Sequence, residues 1–336
     1  MDFIAQIPDL FSDFINPGKR IFAGYVLLAV LIAFVFLILI RGQSARSALG
    51  RIFDPKILFS RSSFADVKIF VLNRFVTFFI SPLLITQIAI ATAIYFALHR
   101  QDVLSSGLFD DAPVALIVGL FTTFMFLMDD FTKYLVHRWM HRWPMLWSFH
   151  KVHHSATTLT PLTVYRTHPV EGTFFAVRSA VAQGVTISLF IFLFGSGVDL
   201  YTIFGANLLV FLFHVTGSNL RHSHIDIRYW PWLEHILISP AQHQVHHSVA
   251  EEHYDKNFGA ALAVWDWAFG SLHLSEHDSA LEFGLDASEN SSEADVVHLY
   301  FMPIKEFIMH LLASIKSLYS DVFLGGIKRL RTRKST

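Results

Sequence analysis

Three stretches decide how this chain is read: His137-Arg138-Trp139-Met140-His141, His150-Lys151-Val152-His153-His154 and His243-Gln244-Val245-His246-His247. They hold eight imidazoles in two blocks about ninety residues apart. Fourteen of the nineteen histidines fall between positions 137 and 253, so the enrichment is local and not compositional. Imidazoles grouped this tightly need partners for their ring nitrogens. A surface tag or a pH sensor does not require two HxxHH blocks. On a helix, His137 and His141 stand at i and i+4 and share one face. His150, His153 and His154 stand at i, i+3 and i+4, and the third stretch repeats that spacing. The pattern points to a metal site.

The surrounding chain is membrane-like. Of 336 residues, 53% are hydrophobic and 16% charged, with 34 Phe, which is too apolar for an ordinary soluble domain. A net charge of −1 gives no reason to expect nucleic acid as a partner. There is no Cys, which excludes disulfides, thiolate metal sites and iron–sulfur clusters and leaves nitrogen and oxygen ligands. The opening Met1-Asp2-Phe3 lacks the basic flank of a cleavable signal, so the first apolar span is expected to be retained.

Ile21 to Ile40 is uncharged and long enough to cross a bilayer. Further candidate spans are Phe75 to Leu98, which contains Pro82 and Gln87, then Val114 to Met128, Phe174 to Phe194 and Tyr201 to Val215. Gly195-Ser196-Gly197 between the last two suggests a tight re-entry. The 41–68 connection carries Arg41, Arg46, Arg51, Lys56, Arg61 and Lys68 against Asp54 and Asp66, so it is expected on the cytoplasmic side. Counting onward puts all three histidine stretches on that side too, although Lys19 and Arg20 sit at the opposite end of the first span. All seven Trp lie in or beside the histidine-rich segments, which suggests a site just inside the bilayer surface. Residues 278–296 look like a solvated loop. From Ile304 to Phe323 the spacing fits an amphipathic helix, followed by a basic tail at 328–334.

Asp130 and Tyr134 precede His137 and His141 on one helical face. A carboxylate there is expected to accept the second N–H of a ligand histidine and fix its tautomer. Pro144 should end that helix or begin the next one.

At this point the chain resembles the fatty acid hydroxylase and sterol desaturase superfamily of membrane oxygenases. Its pattern is HxxxH, a close HxxHH and a distant HxxHH. The resemblance extends to Tyr134-Leu135-Val136-His137-Arg138, Arg166-Thr167-His168-Pro169-Val170-Glu171-Gly172, Asn257-Phe258-Gly259, and Trp265-Asp266 followed by Phe269-Gly270. It covers about 114–274. It implies an all-α integral membrane protein, a bundle of about four to five transmembrane helices with a cytoplasmic helical cap that carries a His-rich dimetal site. In that picture 1–113 holds the N-terminal spans, 114–274 is the catalytic domain, and 275–336 is a polar loop, amphipathic helix and basic tail.

The implied cofactor is a pair of non-haem irons held by His137, His141, His150, His153, His154, His243, His246 and His247. His168, His214, His222 and His224 are additional candidates as ligands or supporting groups. Asn257 is a candidate for holding a metal-bound water, with His253 beside it. The implied chemistry is O2-dependent hydroxylation or desaturation of a lipid C–H bond. Electrons must come from an external donor (cytochrome b5-like, ferredoxin or reductase), because the chain has no flavin, haem-attachment or iron–sulfur motif. The membrane is expected to be the bacterial inner membrane or the endoplasmic reticulum.

Other classes fit the sequence less well. A metal or proton transporter needs polar groups at midplane, and the candidate spans before Asp129 contain no histidine. A zinc hydrolase of HExxH type needs a glutamate where Arg138 stands. Haem ligation between helices needs histidines inside spans, and only His214 qualifies.

Overall fold

The computed structural model describes residues 9–80, 86–100, 106–195, 198, 212–213, 218–275, 281–285 and 295–319. Among these the chain is helical, with two isolated β-bridges and no named strand. The helices are α1 (Asp9–Ile15), α2 (Ala23–Leu39), α3 (Ala45–Ile52), α4 (Pro55–Leu58), α5 (Arg61–Ile80), α6 (Gln87–His99), α7 (Val114–Arg142), α8 (Pro144–His154), α9 (Pro169–Phe194), α10 (Pro231–Glu234), α11 (Pro240–His246), α12 (Val264–Phe269) and α13 (Val296–Tyr319).

Three of them, α7, α9 and α13, are long and apolar enough to cross a membrane. The 17 residues of α2 reach about 26 Å, slightly short of the hydrocarbon core. Its buried face is Tyr25, Ala29, Ala33 and Leu37, one residue per turn. Those alanines let it pack closely against Ala48, Ile52, Leu220, Ile225 and Ile227. The Phe75–Leu98 segment is not a single span, as the sequence suggests, but belongs to two helices. Thr86 is extended and its side chain caps the new helix by accepting from the Ala89 N–H at 3.2 Å. Pro82, nearly all of the 201–215 segment, Ser196, Gly197 and the basic tail lie outside the described residues.

At 29 residues α7 is about 43 Å long, so its apolar first half can span while its last turns project beyond the membrane. It packs on α9 through Ile117, Phe121, Phe190 and Phe194, with the Phe121 and Phe190 rings edge-on at 5.1 Å. Where α7 leaves the apolar stretch, Asp129 is bound by Lys133 at 2.7 Å and by Arg178 of α9 at 2.9 Å. On its other side α9 meets α6 at Gly184. A Cβ there would lie 2.7 Å from Ile90 Cγ2 and 3.1 Å from the Ala91 nitrogen. Gly184→Val therefore forces the two helices apart. It should cost about 1–3 kcal/mol, visible as a lower unfolding midpoint in detergent, and an unchanged midpoint would contradict this packing.

Pro144 begins α8 rather than ending α7, and α8 turns back over the end of α7. It is covered by α13, through Lys151–Glu306 at 2.6 Å and the Phe149–Phe307 ring pair at 5.4 Å. As far as Tyr319 the apolar periodicity that begins at 304 thus falls in a helix that starts at Val296 and packs on the histidine-bearing layer; 320–323 lie outside the described residues.

Candidate metal centre

Helix geometry divides the histidines into two groups. His137, His141, His150, His154 and His246 form the first; His153, His222, His243 and His247 form the second. Within each group one nitrogen or other donor atom per residue lies within 4.8 Å of all the others. His150 and His154 stand one turn apart on α8 and face the end of α7, while His153 is rotated away. On α11 the arrangement is reversed, with His243 and His247 turned to the second group and His246 to the first. α11 is started firmly for so short a helix. Ser239 Oγ accepts from the Gln242 N–H at 3.0 Å, Gln242 Oε1 accepts from the Ser239 N–H at 2.9 Å, and Pro240 occupies the first turn.

The outward nitrogens are fixed by hydrogen bonds. His137 Nδ1 lies 2.8 Å from the Phe258 carbonyl, His246 Nδ1 2.7 Å from the Lys256 carbonyl, and His150 Nδ1 2.8 Å from Glu171 Oε1. Each contact holds a proton on Nδ1 and leaves the Nε2 lone pair pointing inward. Inside, His154 Nε2 and His150 Nε2 are 3.3 Å apart, His222 Nε2 and His153 Nε2 3.1 Å, and His243 Nε2 and His222 Nε2 3.0 Å. Nitrogens bound to one cation at about 2.0–2.1 Å are separated by about 2.8–3.4 Å in octahedral or tetrahedral arrays. His141 Nε2, His246 Nε2 and both nitrogens of His247 are buried with no hydrogen-bond partner among the described residues. A buried polar atom without a partner is costly. Burial, then the charge that neighbouring imidazolium rings would carry, pushes His154 and His243 well below the ordinary histidine range, and burial takes His153 down to about 3. These rings are neutral at pH 7, the form that binds metal. The donor set therefore fits cations held by nitrogen.

Several sequence-predicted residues act elsewhere. Asp130 makes no hydrogen bond to a histidine among the described residues. Its carboxylate accepts from the Ala261 N–H at 2.7 Å, the Leu262 N–H at 3.1 Å and Trp265 Nε1 at 2.9 Å. It holds the loop whose earlier carbonyls, at Lys256 and Phe258, orient His246 and His137. Tyr134 is likewise turned away, accepting from Arg138 at 2.7 Å and lying 3.2 Å from Ser271 Oγ. Asn257 adopts φ +54° and spends its amide on the Gln242 and His273 carbonyls and the His273 N–H. His168 lies outside both groups, because its ring accepts from the Val170 N–H at 3.2 Å to cap α9 and contacts the Tyr300 carbonyl at 3.1 Å. His224 Nε2 contacts the Arg51 carbonyl at 2.7 Å, also outside the groups. His214 lies outside the described residues.

Glu171 was quoted in the sequence pattern without a role, and it supplies the carboxylate–imidazole contact expected of Asp130. Asp266 is a second case. It accepts from the Phe258 N–H at 2.9 Å and the Gly259 N–H at 2.7 Å. Only glycine fits at 259, where a Cβ would lie 2.5 Å from the Leu262 carbonyl oxygen. The first group opens on a cavity of about 310 Å3 lined by His141, His154, His246, Trp147, Val249 and Tyr254, among others.

Comparison with known proteins follows the same boundaries. Residues 122–271 match the fatty acid hydroxylase family. An ornithine lipid hydroxylase of Rhizobium tropici is 30% identical over 182 residues, 52% of this chain and 47% of that protein. An alkylglycerol monooxygenase of Caenorhabditis elegans is 27% identical over 172 residues, 50% of this chain and 30% of that protein. A Delta(7)-sterol 5(6)-desaturase of Eremothecium gossypii is 27% identical over 197 residues, 58% of this chain and 50% of that protein. The chain thus spans half or less of the length of these curated relatives. No solved structure matches it. Residues 122–271, which carry all nine imidazoles of the two groups, are the part of the chain that is similar to the fatty acid hydroxylase family.

Proposed function

We propose that the chain is a membrane-bound di-iron oxygenase that uses O2 and external electrons to hydroxylate or desaturate a C–H bond of a lipid. The observation that carries this reading is the convergence of nine buried or nearly buried imidazoles, in two adjoining groups, at the end of apolar helices. His137, His141, His150, His154 and His246 would hold one iron; His153, His222, His243 and His247 would hold the other. His168 and His224 support the fold around them. Bound iron would supply the O2 reduction that attack on an unactivated C–H bond requires.

The protein's own part is orientation and exclusion of water. Glu171, the Phe258 carbonyl and the Lys256 carbonyl keep three rings turned inward. Trp147 and Phe258 pack against His141, at 5.1 Å each, and shield that edge. Hydroxylation consumes O2, two electrons and two protons and releases one water; desaturation consumes the same and releases two. The electrons come from a partner such as a cytochrome b5-like protein, a ferredoxin or a reductase.

The substrate is an amphiphile with a long hydrocarbon part. The relatives named above are described as acting on ornithine lipid, alkylglycerol and sterol, and each hydrocarbon methylene buried among the Phe-rich helices contributes about 0.8 kcal/mol. Four to five spans, with 114–274 as the catalytic part and its cap on the cytoplasmic face of the bacterial inner membrane or the endoplasmic reticulum, complete the reading. Exposed Trp139, Trp143, Trp230, Trp232 and Trp267 suit a cap seated at headgroup level.

Lipid extracts of cells with and without the chain, grown under 18O2 and compared by mass spectrometry, test the activity. A lipid carrying one 18O indicates hydroxylation, and one lighter by two hydrogens indicates desaturation. An identical lipid profile counts against action on the lipids of that cell.

A further inference from the structure

The two histidine groups sit in opposite electrostatic surroundings. The first has acidic neighbours. Glu171 lies 2.8 Å from His150 Nδ1, with both side chains 2% exposed; Asp255 lies 4.0 Å from His141 Nδ1 but is paired with Arg142 at 3.2 Å, so Glu171 is the main acidic neighbour. The second has cationic ones. Arg20 Nη2 lies 3.1 Å from His222 Nδ1 and also donates to the Ser218 carbonyl. The next residue, Arg221, is buried, its guanidinium 4.5 Å above the Phe213 ring and its Nη2 without a hydrogen-bond partner among the described residues. Neither arginine forms an ion pair with a carboxylate among the described residues; Arg221 also faces Asp130 and His137 of the first group, so Arg20 is the cation particular to the second.

A full charge a few ångströms from a bound ion changes that ion's affinity by roughly tenfold or more, because partly buried pairs are poorly screened. A carboxylate beside one group and a guanidinium beside the other act in opposite directions on cations of equal charge. The donor counts, five nitrogens against four, add to the same difference.

This inference rests on the reading that both groups bind a cation. We propose that the groups fill in order: the five-histidine group is the tight site, the four-histidine group is the weak one, and Arg20 is the positioning residue that sets the difference. Arg20 can only donate to His222 Nδ1, which in a neutral ring leaves the proton on the inward Nε2, so its hydrogen bond and its charge both oppose the ion. It lies outside the segment 122–271, so the N-terminal part of the chain controls how completely the centre is loaded. The same guanidinium charge favours the lower oxidation state of a redox metal held in that group.

The test is an anaerobic Co(II) titration of the full, metal-stripped chain in detergent, followed by visible absorption and calorimetry. Elemental analysis gives the bound ions per chain. The wild type should show two steps at least tenfold apart in affinity, with His246→Ala removing the first and His243→Ala the second. Arg20→Gln removes the charge and offers an oxygen that can accept from His222 Nδ1–H, and should tighten the second step at least tenfold without moving the first. Structural damage would loosen that step instead, so a tightening is specific to loss of the guanidinium. Glu171→Gln keeps an acceptor for His150 and should weaken the first step alone. One transition of two equal ions, or an Arg20→Gln protein whose two affinities keep their wild-type ratio, overturns the inference and leaves the oxygenase reading standing. Failure to bind any Co(II) overturns both. If Arg20→Gln does not fold, the wild-type step order and the two histidine variants decide alone.

Discussion

His246→Ala is expected to reduce lipid oxidation to background and to lower the metal content from two ions toward one per chain, while the protein stays in the membrane. His246 Nε2 is buried and has no hydrogen-bond partner among the described residues, which leaves its inward lone pair for a metal. Its Nδ1 is already bound to the Lys256 carbonyl. Removing the ring deletes one of five donors, whereas the α7 and α9 packing that holds the chain in the bilayer is untouched. His150→Ala should behave the same way and in addition strand the Glu171 carboxylate, which is 2% exposed. His168→Ala is the contrasting control. It loses a helix cap, worth about 1 kcal/mol, and keeps both ions. Turnover with full metal content in His246→Ala would remove the ligand assignment, and metal loss in His168→Ala would enlarge the first group beyond what its geometry supports. Membrane fractionation, elemental analysis and the lipid assay on the same preparations separate these outcomes.

How much of this was legible beforehand depends on whether a residue acts within its own helix or across the fold. The HxxxH and HxxHH spacings could be read because i, i+3 and i+4 relations are local, and α7, α8 and α11 carry them as expected. The division into two groups could not, because it depends on how α8 and α11 face each other. His222 and His224 show the same limit. Two residues apart in a turn, they point to different neighbours, one into the second group and one to the Arg51 carbonyl. Asp130 stood on the ligand face of α7, yet its carboxylate is taken by N–H groups of a loop 131 and more residues later. Its influence reaches the histidines through that loop. Glu171 carried the same signal, a lone carboxylate in the first turn of an apolar helix, and its pairing with His150 spans a turn that spacing cannot describe. The 75–98 segment was misjudged because apolar composition continues across a break that Thr86 makes by capping a new helix.

Arg166→Met and Asp66→Ala should each destabilise the protein by about 3–5 kcal/mol, the range for breaking a buried ion pair and leaving one charge unpaired. Both side chains are 0% exposed and meet at 3.1 Å. The guanidinium donates to the Val152 carbonyl at 3.2 Å, Ser155 Oγ at 3.0 Å, the Ser155 carbonyl at 3.3 Å and the Ser62 carbonyl at 3.3 Å. Asp66 Oδ2 also accepts from Thr163 Oγ1 at 2.6 Å. Through these bonds Arg166 satisfies carbonyls at the end of α8, where the helix can no longer do so, and ties them to α5. Val152 and Ser155 flank His153 and His154, so the same bonds hold a ligand from each group in place. Either single variant should therefore lose metal affinity as well as stability. The pair Asp66→Ala with Arg166→Met leaves no stranded charge and should cost less than the sum of the singles. Thermal unfolding in detergent, with and without bound Co(II), measures all three. Strict additivity would show that the two groups do not act as a pair, and losses below about 1 kcal/mol would place them among exposed ion pairs, which their complete burial contradicts.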